Sequence, residues 1–589
     1  MNALIVVAIV VAILAIAYIF YGGWLARQWG VDPDRPTPAH ELGDGDDFVA
    51  APLHVVFGHH FASIAGAGVV FGPIMAAVFG WVPIVLWIVV GGVFFGAVHD
   101  FGALFASIRQ KGASLAVMAQ ESVGVGARRL ICAFAYLLLV LLIAALASIV
   151  ASTFQVTDLQ APEVNARNSS VAAIAVLFTV VAIAWGAITR GRRVSTPVGI
   201  VVPLVLVVGV VAAGFGLTGI VALGHEVWMV ILGVYIFAAA AAPVWLVLQP
   251  RDYLSSFLLY GVLALALVGI VGAGIVGAAS DLQIPAFNGF VVNTRAFDVA
   301  TGTLLVDDSG VPLVNAVAQG GFLFPVLFVT VSCGALSGFH GLVASGTTSK
   351  QIGSENQARP IAFGGMLLTS LVAVISLCAV GFVWAKYAAG SYASPAQVFA
   401  DGLSGMLCAI PGLEGAKDVT YALMILAVST FCLTSLDTAV RLARSLFQEL
   451  WVAEEQSLGS ASDFRKTLAN KYVATAITVV LGIALGMGGY SVIWPLFGAA
   501  NQLLAALALL VVCAWLGRAG KGNAVLFVPM ALTFVVTVCS LVLTVQQKAV
   551  VLMTGGDPIV ASIQLAVAVV LIIFAVHMAV KGVRALRAR

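Results

Sequence analysis

The stretch Val56-Phe-Gly-His-His-Phe-Ala-Ser-Ile-Ala-Gly-Ala-Gly68 places two adjacent histidines and three glycines inside an apolar segment. In a membrane interior every backbone polar group needs a partner, and ionisable side chains are costly there. The glycines and the nearby Pro73 also loosen helical hydrogen bonding. The stretch therefore predicts a broken transmembrane helix that serves an ion or a ligand. The simpler alternative is that the small residues allow close helix packing, with the histidines near the cytoplasmic interface.

The amino-acid composition sets the class of protein. Of the 589 residues, 61% are hydrophobic and 9% are charged, and the mean hydropathy is +1.10. A soluble globular domain normally contains about 25% charged residues. Apolar runs long enough to span a bilayer as helix recur along the chain, whereas the alternating pattern of a transmembrane β-barrel does not. The sequence therefore predicts an all-α polytopic membrane protein.

Hydropathy predicts about fifteen transmembrane helices. They lie at roughly 3–26, 54–79, 82–109, 127–153, 170–189, 197–223, 226–248, 253–278, 320–347, 361–387, 417–447, 470–488, 491–518, 523–547 and 558–584. The first run is too long, and lacks the basic N-terminal region, for a cleaved signal peptide. The spans predict five regions: an N-terminal helix and acidic loop (1–53), the first part of the core with broken helices at 54–79 and 226–248 (54–278), an extracytoplasmic loop (279–319), the second part of the core (320–447) and C-terminal helices (448–589).

Lysine and arginine predict the orientation, because cytoplasmic connections hold an excess of basic residues. With fifteen spans and a cytoplasmic C-terminus, only five of the 28 basic residues fall on the outer side: Arg167, Arg295, Lys386, Lys417 and Lys548. An error of one span in the middle of the chain would scramble this bias. The N-terminus is therefore predicted to lie outside the cell and the C-terminus in the cytoplasm.

A second polar cluster lies in Cys333-Gly-Ala-Leu-Ser-Gly-Phe-His-Gly-Leu-Val-Ala-Ser-Gly-Thr-Thr-Ser-Lys350, where His340 precedes Ser345, Thr347 and Thr348. Hydroxyls and freed carbonyls are oxygen ligands of the kind that sodium accepts, whereas an imidazole suits a proton. Both coupling ions therefore stay open. The alternative for each hydroxyl is a hydrogen bond to its own helix backbone.

Asp100 follows His99 inside the third predicted span. An ionisable residue at that depth is by default a functional candidate, so Asp100 could carry a proton. Equally, it could be a structural partner for Arg109 or Lys111 near the cytoplasmic end of the span.

Three further segments combine polar residues with apolar surroundings. Gln249 lies in a proline-flanked stretch that indicates a kinked or interrupted helix, so its amide could face a cavity. The amides in Trp494-Pro-Leu-Phe-Gly-Ala-Ala-Asn-Gln502 could serve a ligand or lock helices together. Asp437, Arg441 and Arg444 share one helix face, for which an internal ion pair is the simpler explanation.

Four motifs together resemble the signatures of the carbon starvation protein A family: Gly58-His-His-Phe-Ala-Ser-Ile-Ala-Gly-Ala-Gly68, Pro250-Arg-Asp-Tyr-Leu-Ser-Ser256, Ser337-Gly-Phe-His-Gly-Leu-Val-Ala-Ser-Gly-Thr-Thr348 and Trp494-Pro-Leu-Phe-Gly-Ala-Ala-Asn-Gln502. The resemblance covers nearly the whole chain, which is shorter than the longest members. It implies a carrier of the bacterial inner membrane, induced when preferred carbon runs out, that takes up peptides or, as in some members, pyruvate.

That family in turn resembles the amino acid–polyamine–organocation superfamily, which has a LeuT-type core of inverted five-helix repeats. The resemblance implies that span 54–79 is the first core helix, span 226–248 the sixth and span 320–347 the eighth. A cation site between the first and eighth core helices would then bring together residues from two separate motifs, with His60 facing His340. The other residues of this cation site would be Gly66, Gly68, Ser345, Thr347 and Thr348.

The function predicted is secondary active symport by alternating access, with broken helices presenting backbone amides to a substrate carboxylate. His59, His60 and Asp100 are predicted to couple protons, with sodium as the alternative ion. The rest of the predicted site is Ser63, Gly66, Gly68, Gln249, His340, Ser345, Thr347 and Thr348. The predicted partners are a small-molecule substrate and the lipid bilayer, with no cofactor and no nucleic acid, and homo-oligomerisation stays open.

Two other functions remain as alternatives. His59, His60 and His340 could form a metal site with one open position, as in a membrane-embedded metalloenzyme. Against this, the sequence has no His-Glu-x-x-His motif and offers only Asp100 as a general base within the membrane. A channel is the second alternative, although the chain shows no repeated filter residues.

Overall fold

The computed structural model describes residues 2–43, 48–157, 162–189, 196–243, 247–277, 281–307, 310–451, 463–554 and 558–587. Most of the described chain is α-helical. The main helices are α1 (Ala3–Trp29), α2 (Leu53–Ile64), α3 (Ala67–Phe79), α4 (Trp81–Arg109), α5 (Leu115–Val123), α6 (Val125–Phe154), α7 (Pro162–Thr189), α8 (Thr196–Gly216), α9 (His225–Ala241), α10 (Leu248–Val276), α11 (Ser332–Ala335), α12 (Gly338–Gly346), α13 (Glu355–Phe382), α14 (Pro395–Cys408), α15 (Lys417–Trp451), α16 (Lys471–Gly486), α17 (Tyr490–Arg518), α18 (Ala524–Met553) and α19 (Pro558–Arg587).

Among the described residues, ten helices are long and apolar enough to cross a membrane, or eleven if the bent pair α2 and α3 makes one crossing. Three shorter apolar helices, Val201–Gly216, His225–Ala241 and Lys471–Gly486, coincide with predicted spans. The predicted span 320–347 is instead a series of short helical pieces. The polytopic helical class is therefore confirmed, but the count of fifteen helices is not, because hydropathy does not report where a helix breaks.

Burial separates inner helices from outer ones. The most apolar window of α17 is completely buried and that of α13 is 89% buried, whereas only 28% of the window in α19 is buried. The outer helices expose large apolar side chains, such as Ile16 and Phe20 of α1. Lipid tails are as apolar as these side chains, so such surfaces suit contact with the bilayer. The protein is thus a multi-pass membrane protein with a protein-lined interior.

Contacts between connections agree with their predicted alternation between two sides. At one end, Glu355 at the start of α13 pairs with Arg109 at the end of α4. Glu355 also accepts a hydrogen bond from the N–H of Asp32 after α1. At the other end, the N–H of Trp81 at the start of α4 donates to the carbonyl of Pro285, 3.1 Å away. Each group joins connections that the sequence placed on one side.

The predicted outer loop contains some regular structure. Strands β1 (Val291–Val292) and β2 (Gly321–Phe322) pair antiparallel. The side chain of Asn315 donates to the carbonyl of Tyr387, 2.7 Å away, and so fixes the loop to the short helix Trp384–Ala388.

Candidate ion and substrate site

The first helix break lies between α2 and α3, whose axes differ by 41°. Ala65 (φ −78°, ψ 42°) and Gly66 (φ −73°, ψ −176°) leave the helical conformation. The backbone passes so close to α15 that a Cβ on Gly66 would lie 2.9 Å from the hydroxyl oxygen of Ser435. The first amides of α3 have no partner within their own helix, so the break provides hydrogen-bond donors inside the protein.

The second break lies between α11 and α12. Leu336 (φ −164°, ψ 126°) and Ser337 (φ −137°, ψ 127°) are extended, and the helix resumes at Gly338. Sequence reasoning also placed a break in 226–248. The helix His225–Ala241 ends there with Ala242 in an extended conformation, and the next helix starts at Leu248. Residues 244–246 lie outside the described part of the chain.

A cavity lies where the two breaks meet. It is lined by residues of α3 and its preceding break, of α11 and α12, and of four neighbouring helices: Ser63, Ile64, Gly66, Ala67, Gly68, Leu142, Leu146, Cys333, Ser337, Phe339, His340, Ser435, Trp494 and Phe497. The space open to the centre of a water molecule is about 20 Å³, enough for about one water. In this conformation the cavity therefore offers a volume much smaller than a peptide.

Asp100 lies between two histidines and is fully buried. Its Oδ1 is 2.7 Å from Nδ1 of His99, and its Oδ2 is 3.0 Å from Nδ1 of His340. Gly341 leaves room for the ring of His99, because a Cβ there would lie 2.9 Å from the ring. A carboxylate of α4 is thus joined to α12, and His340 also lines the cavity. This buried cluster can gain or lose a proton next to the cavity.

The structure does not show the pairing of Asp100 with a basic residue, which was the alternative for this position. Arg109 instead donates from Nη2 to Oε2 of Glu355, at 2.8 Å, and to the carbonyl of Gly30, at 2.8 Å. The ion-pair partners described for Asp100 are both imidazoles. Asp100 therefore contacts α12 and not the end of α4 that holds Arg109.

His60 joins α2 to the segment after α12. Its side chain is fully buried, and Nδ1 lies 2.8 Å from the hydroxyl oxygen of Thr348. Its Nε2 is buried and makes no hydrogen bond to the described residues. Of the predicted hydroxyl ligands, Thr348 is thus the one bound to a predicted histidine.

Three other predicted hydroxyls bond to their own helices. Ser63 donates to the carbonyl of His59 at 2.9 Å, Ser345 to that of Gly341 at 2.7 Å, and Thr347 to the carbonyl four residues earlier at 2.9 Å. This is the backbone-bonding alternative for such residues. Ser63 still lines the cavity, whereas Ser345 and Thr347 do not. The geometry therefore favours a structural role for Ser345 and Thr347.

His59 contacts a different helix from its neighbour His60. Its Nδ1 lies 3.4 Å from Oδ2 of Asp252 on α10. His59, His60 and His340 thus have separate partners, and the described part of the chain contains no group of three or more His, Cys, Asp or Glu side chains that could hold a metal ion. The three-histidine metal site is not what the geometry shows. The side chain of Gln249 lies outside the described part.

Asp437 pairs across helices and not within its own. It binds the guanidinium of Arg251 on α10, and the hydroxyl of Tyr235 donates to its Oδ2 at 2.9 Å. Arg441 and Arg444 instead donate to the last carbonyls of α9, at 2.6 to 2.8 Å. Sequence reasoning predicted an ion pair inside α15 because spacing along one helix carries no information on partners from another.

Asn501 completes the second break. Its Oδ1 accepts from the N–H of Phe339 in the first turn of α12, at 3.0 Å, and its Nδ2 donates to the hydroxyl of Ser337, at 3.1 Å. The neighbouring Gln502 donates to the carbonyl of Phe328, at 2.6 Å. Of the two roles open for these amides, the structure shows that of locking helices together. The signal in the sequence was their position beside a proline-containing apolar run.

We expect Gly68→Ala to reduce transport without preventing membrane insertion. A Cβ at Gly68 would clash with the sulfur of Cys333 across the cavity, and overpacking of this kind costs about 1 to 3 kcal/mol. The uptake rate should fall by about tenfold. Gly261→Ala is the matched control, because a Cβ on that helical glycine meets nothing within 4 Å. Cys333→Ala in the Gly68→Ala background should restore part of the rate, and equal rates for both single glycine variants would contradict the prediction.

A multi-pass helical protein with two helix breaks around an internal cavity, and with a buried ionisable cluster beside it, has the features of a membrane transporter. The sequence model of the family described as carbon starvation protein CstA matches residues 2–389 and 383–540. The chain therefore belongs to the CstA family, and it is a secondary transporter and not an enzyme.

Similar proteins are themselves named as transporters. The chain is 34% identical to the peptide transporter CstA of Escherichia coli K12, over 87% of this chain and 76% of that one. It is 32% identical to the peptide transporter CstA of Bacillus subtilis 168, over 87% and 85%. It is also 32% identical to the pyruvate/proton symporter BtsT of Escherichia coli K12, over 87% and 77%.

A solved structure with a similar fold is the crystal structure of the Eremococcus coleocola manganese transporter in complex with an aromatic bis-isothiourea substituted compound. The match covers 92% of this chain and 99% of the other, with a TM-score of 0.52 and 11% sequence identity. At this identity the similarity shows the fold alone.

Proposed function

We propose that this protein imports a small carboxylate together with protons, the substrate being pyruvate or a short peptide. The names of its relatives support both substrates, and BtsT is named as a pyruvate/proton symporter. Both substrate types carry a carboxylate. The observation that carries the proposal is the buried cluster in which Asp100 lies between His99 and His340, beside the cavity.

Proton coupling suits this cluster better than sodium coupling. Two imidazoles flank one carboxylate without any described arginine or lysine partner, so a proton can be exchanged among three groups. A sodium site needs several oxygen ligands directed at one point, but Ser345 and Thr347 do not line the cavity. His60 and Thr348 join α2 to the same region and would transmit the change in charge to the first break.

The substrate carboxylate is proposed to bind at the first turn of α3. Gly66, Ala67 and Gly68 line the cavity there, and the N-terminus of a helix carries partial positive charge and free N–H groups. The corresponding amide of α12 is already satisfied by Asn501. The cavity must enlarge to admit substrate, and the two breaks are the points at which helix segments can tilt.

The core is proposed to be of the LeuT type, with inverted repeats. Six predicted spans separate the two broken segments, so if α2 and α3 form the first core helix, α11 and α12 belong to the eighth. By the predicted topology the first core helix and the proposed sixth, 226–248, run in opposite directions, as inverted repeats require.

We propose that the protein lies in the bacterial inner membrane with its N-terminus outside and its C-terminus in the cytoplasm. The charge distribution supports this orientation. The end of the molecule that holds the Arg109–Glu355 pair would then be cytoplasmic. Homo-oligomerisation stays a prediction.

The test is uptake of labelled pyruvate and of a labelled dipeptide into proteoliposomes, under an imposed proton gradient and, separately, a sodium gradient. Accumulation driven by the proton gradient is expected for one of the two substrates. Accumulation driven only by sodium would overturn the choice of ion. If neither gradient drives either substrate, the substrate class is wrong.

Two histidine variants test the site. His60→Ala and His340→Ala should each lower proton-driven uptake by about tenfold or more, as general proton-transfer groups contribute about that much or more. His577→Ala, on an exposed face of α19, is the matched control. Normal uptake with unchanged pH dependence in both site variants would show that these histidines have no part in coupling.

A further inference from the structure

A second pair of ionisable side chains lies on α2 and α10, apart from the Asp100 cluster. His59 and Asp252 approach each other with Nδ1 of the imidazole 3.4 Å from Oδ2 of the carboxylate. The Asp252 side chain is 4% exposed and that of His59 is 19% exposed. The carboxylate is thus inside the protein, while its partner retains contact with the surface.

The pair is poorly satisfied by hydrogen bonds. Both carboxylate oxygens of Asp252 are buried and have no hydrogen-bond partner among the described residues. The same is true of Nε2 of His59. The 3.4 Å separation is longer than an N–H···O hydrogen bond of 2.7 to 3.2 Å. A buried carboxylate left without hydrogen bonds costs free energy, so such a group in a native structure calls for a functional explanation. Protonation would remove that cost.

The charges around the pair leave Asp252 as the group that can change. Arg251, its neighbour on α10, is already bound to Asp437 of α15 and to Tyr235 of α9. Arg441 of α15, which acts on Asp437 electrostatically, donates to carbonyls at the end of α9. Arg251 and Asp437 still interact electrostatically with Asp252, one with the opposite charge and one with the same charge. His59 is the described ion-pair partner of Asp252.

We propose that His59 and Asp252 form a second proton-binding site, separate from Asp100, that this transporter loads and empties in each cycle. The inference rests on the proposed proton-coupled function and deepens it. In the loaded state one proton is shared by the imidazole and the carboxylate, and in the empty state that proton has left the pair. No bond other than the one to the proton forms or breaks.

The two sites are connected through α2 and not through a hydrogen-bond chain. His59 and His60 are adjacent on that helix but contact Asp252 and Thr348, which lie on different elements. Among the described residues, no hydrogen bond links one cluster to the other. Asp100 and His340 act electrostatically on His60 of α2, so a change of charge at either site acts on a group of the same half-helix.

The experiment measures how many protons are coupled to each substrate molecule. Pyruvate, or the dipeptide if that is the transported substrate, is accumulated in proteoliposomes at zero membrane potential and a pH difference of one unit. Each coupled proton then contributes about a tenfold accumulation at equilibrium. Asp252→Asn and His59→Gln are each expected to lower the steady-state accumulation by about tenfold, with uptake still present. Glu226→Gln, at an exposed position on α9, is the control and should leave it unchanged.

An unchanged steady-state accumulation in His59→Gln, even with slower uptake, would overturn the second site and leave the pair a structural contact. If Asp252→Asn does not fold, the second site is tested with His59→Gln and Asp252→Glu. Asp252→Glu should keep the wild-type steady-state accumulation. If the wild type itself accumulates no substrate, the proposed function fails. The site is then judged by ¹⁵N NMR of the histidine rings, assigned with His59→Gln. A His59 signal that titrates between about pH 5 and 8 supports the site. A His59 signal that does not change with pH overturns it.

Discussion

Replacing Asp100 with asparagine is expected to remove one coupled proton and so to lower proton-driven accumulation of substrate, while leaving exchange of substrate across the membrane in place. The amide has nearly the same shape as the carboxylate, so α4 and α12 should still pack together. It cannot ionise, however, and the two imidazoles that now face Oδ1 and Oδ2 lose the charge that holds a proton between them. At a pH difference of one unit the accumulation should fall at least about tenfold.

Two assays on the same Asp100→Asn proteoliposomes check this result. Net accumulation under a proton gradient should fall by about tenfold, whereas exchange of labelled for unlabelled substrate at equal pH should persist. Exchange should also depend less on pH in the variant, because one group that takes up a proton is gone. Glu163→Gln, an exposed carboxylate in the first turn of α7, is the control. Wild-type accumulation in Asp100→Asn would rule out this carboxylate as the coupling group.

The second large effect is expected for Arg251→Met, which should sharply reduce the amount of folded protein in the membrane. Arg251 and Asp437 are both 1% exposed, and removal of the guanidinium leaves a buried carboxylate with only the Tyr235 hydroxyl as a described partner. Breaking a buried ion pair in this way costs about 3 to 5 kcal/mol. The measurement is the thermal unfolding midpoint of the purified protein, together with its yield.

The control for this prediction is the double variant Arg251→Met/Asp437→Asn. Neutralising Asp437 removes the uncompensated charge, so the double variant should recover much of the stability that the single variant loses. Equal midpoints for Arg251→Met and the wild type would show that the pair contributes little to stability. A double variant no more stable than the single one would mean that Arg251 acts through packing and not through charge.

Sequence reasoning located the ionisable residues of the site but not their partners. Histidines and a carboxylate inside apolar runs are conspicuous, so His59, His60, Asp100 and His340 could be named in advance. The pairing of Asp100 with His340 joins positions 240 residues apart, and no helical spacing predicts a contact of that kind. The sequence therefore suggested the nearby Arg109 as a partner of Asp100, but the structure pairs Arg109 with Glu355.

The roles of the hydroxyl groups could not be predicted from the sequence either. Ser345, Thr347 and Thr348 are nearly adjacent, and the sequence offers no reason to separate them. The structure does, because the helix ends between them: Ser345 and Thr347 reach back to carbonyls of the last turn, while Thr348 lies beyond it and meets His60. Where a helix ends depends on packing with distant segments, which composition and periodicity do not encode.

The amide of Asn501 has a consequence for how the molecule can move. It holds the first turn of α12 through the N–H of Phe339, and Gln502 beside it holds the carbonyl of Phe328 ahead of the break. Separating α17 from this segment would leave buried donors and acceptors unpaired, at about 1 to 3 kcal/mol each. α17 and the second broken segment are thus expected to travel as one rigid body in the transport cycle. The sliding surface should lie on the other side of the cavity, where the first broken segment meets that body through apolar packing such as that of Phe71 against Trp494.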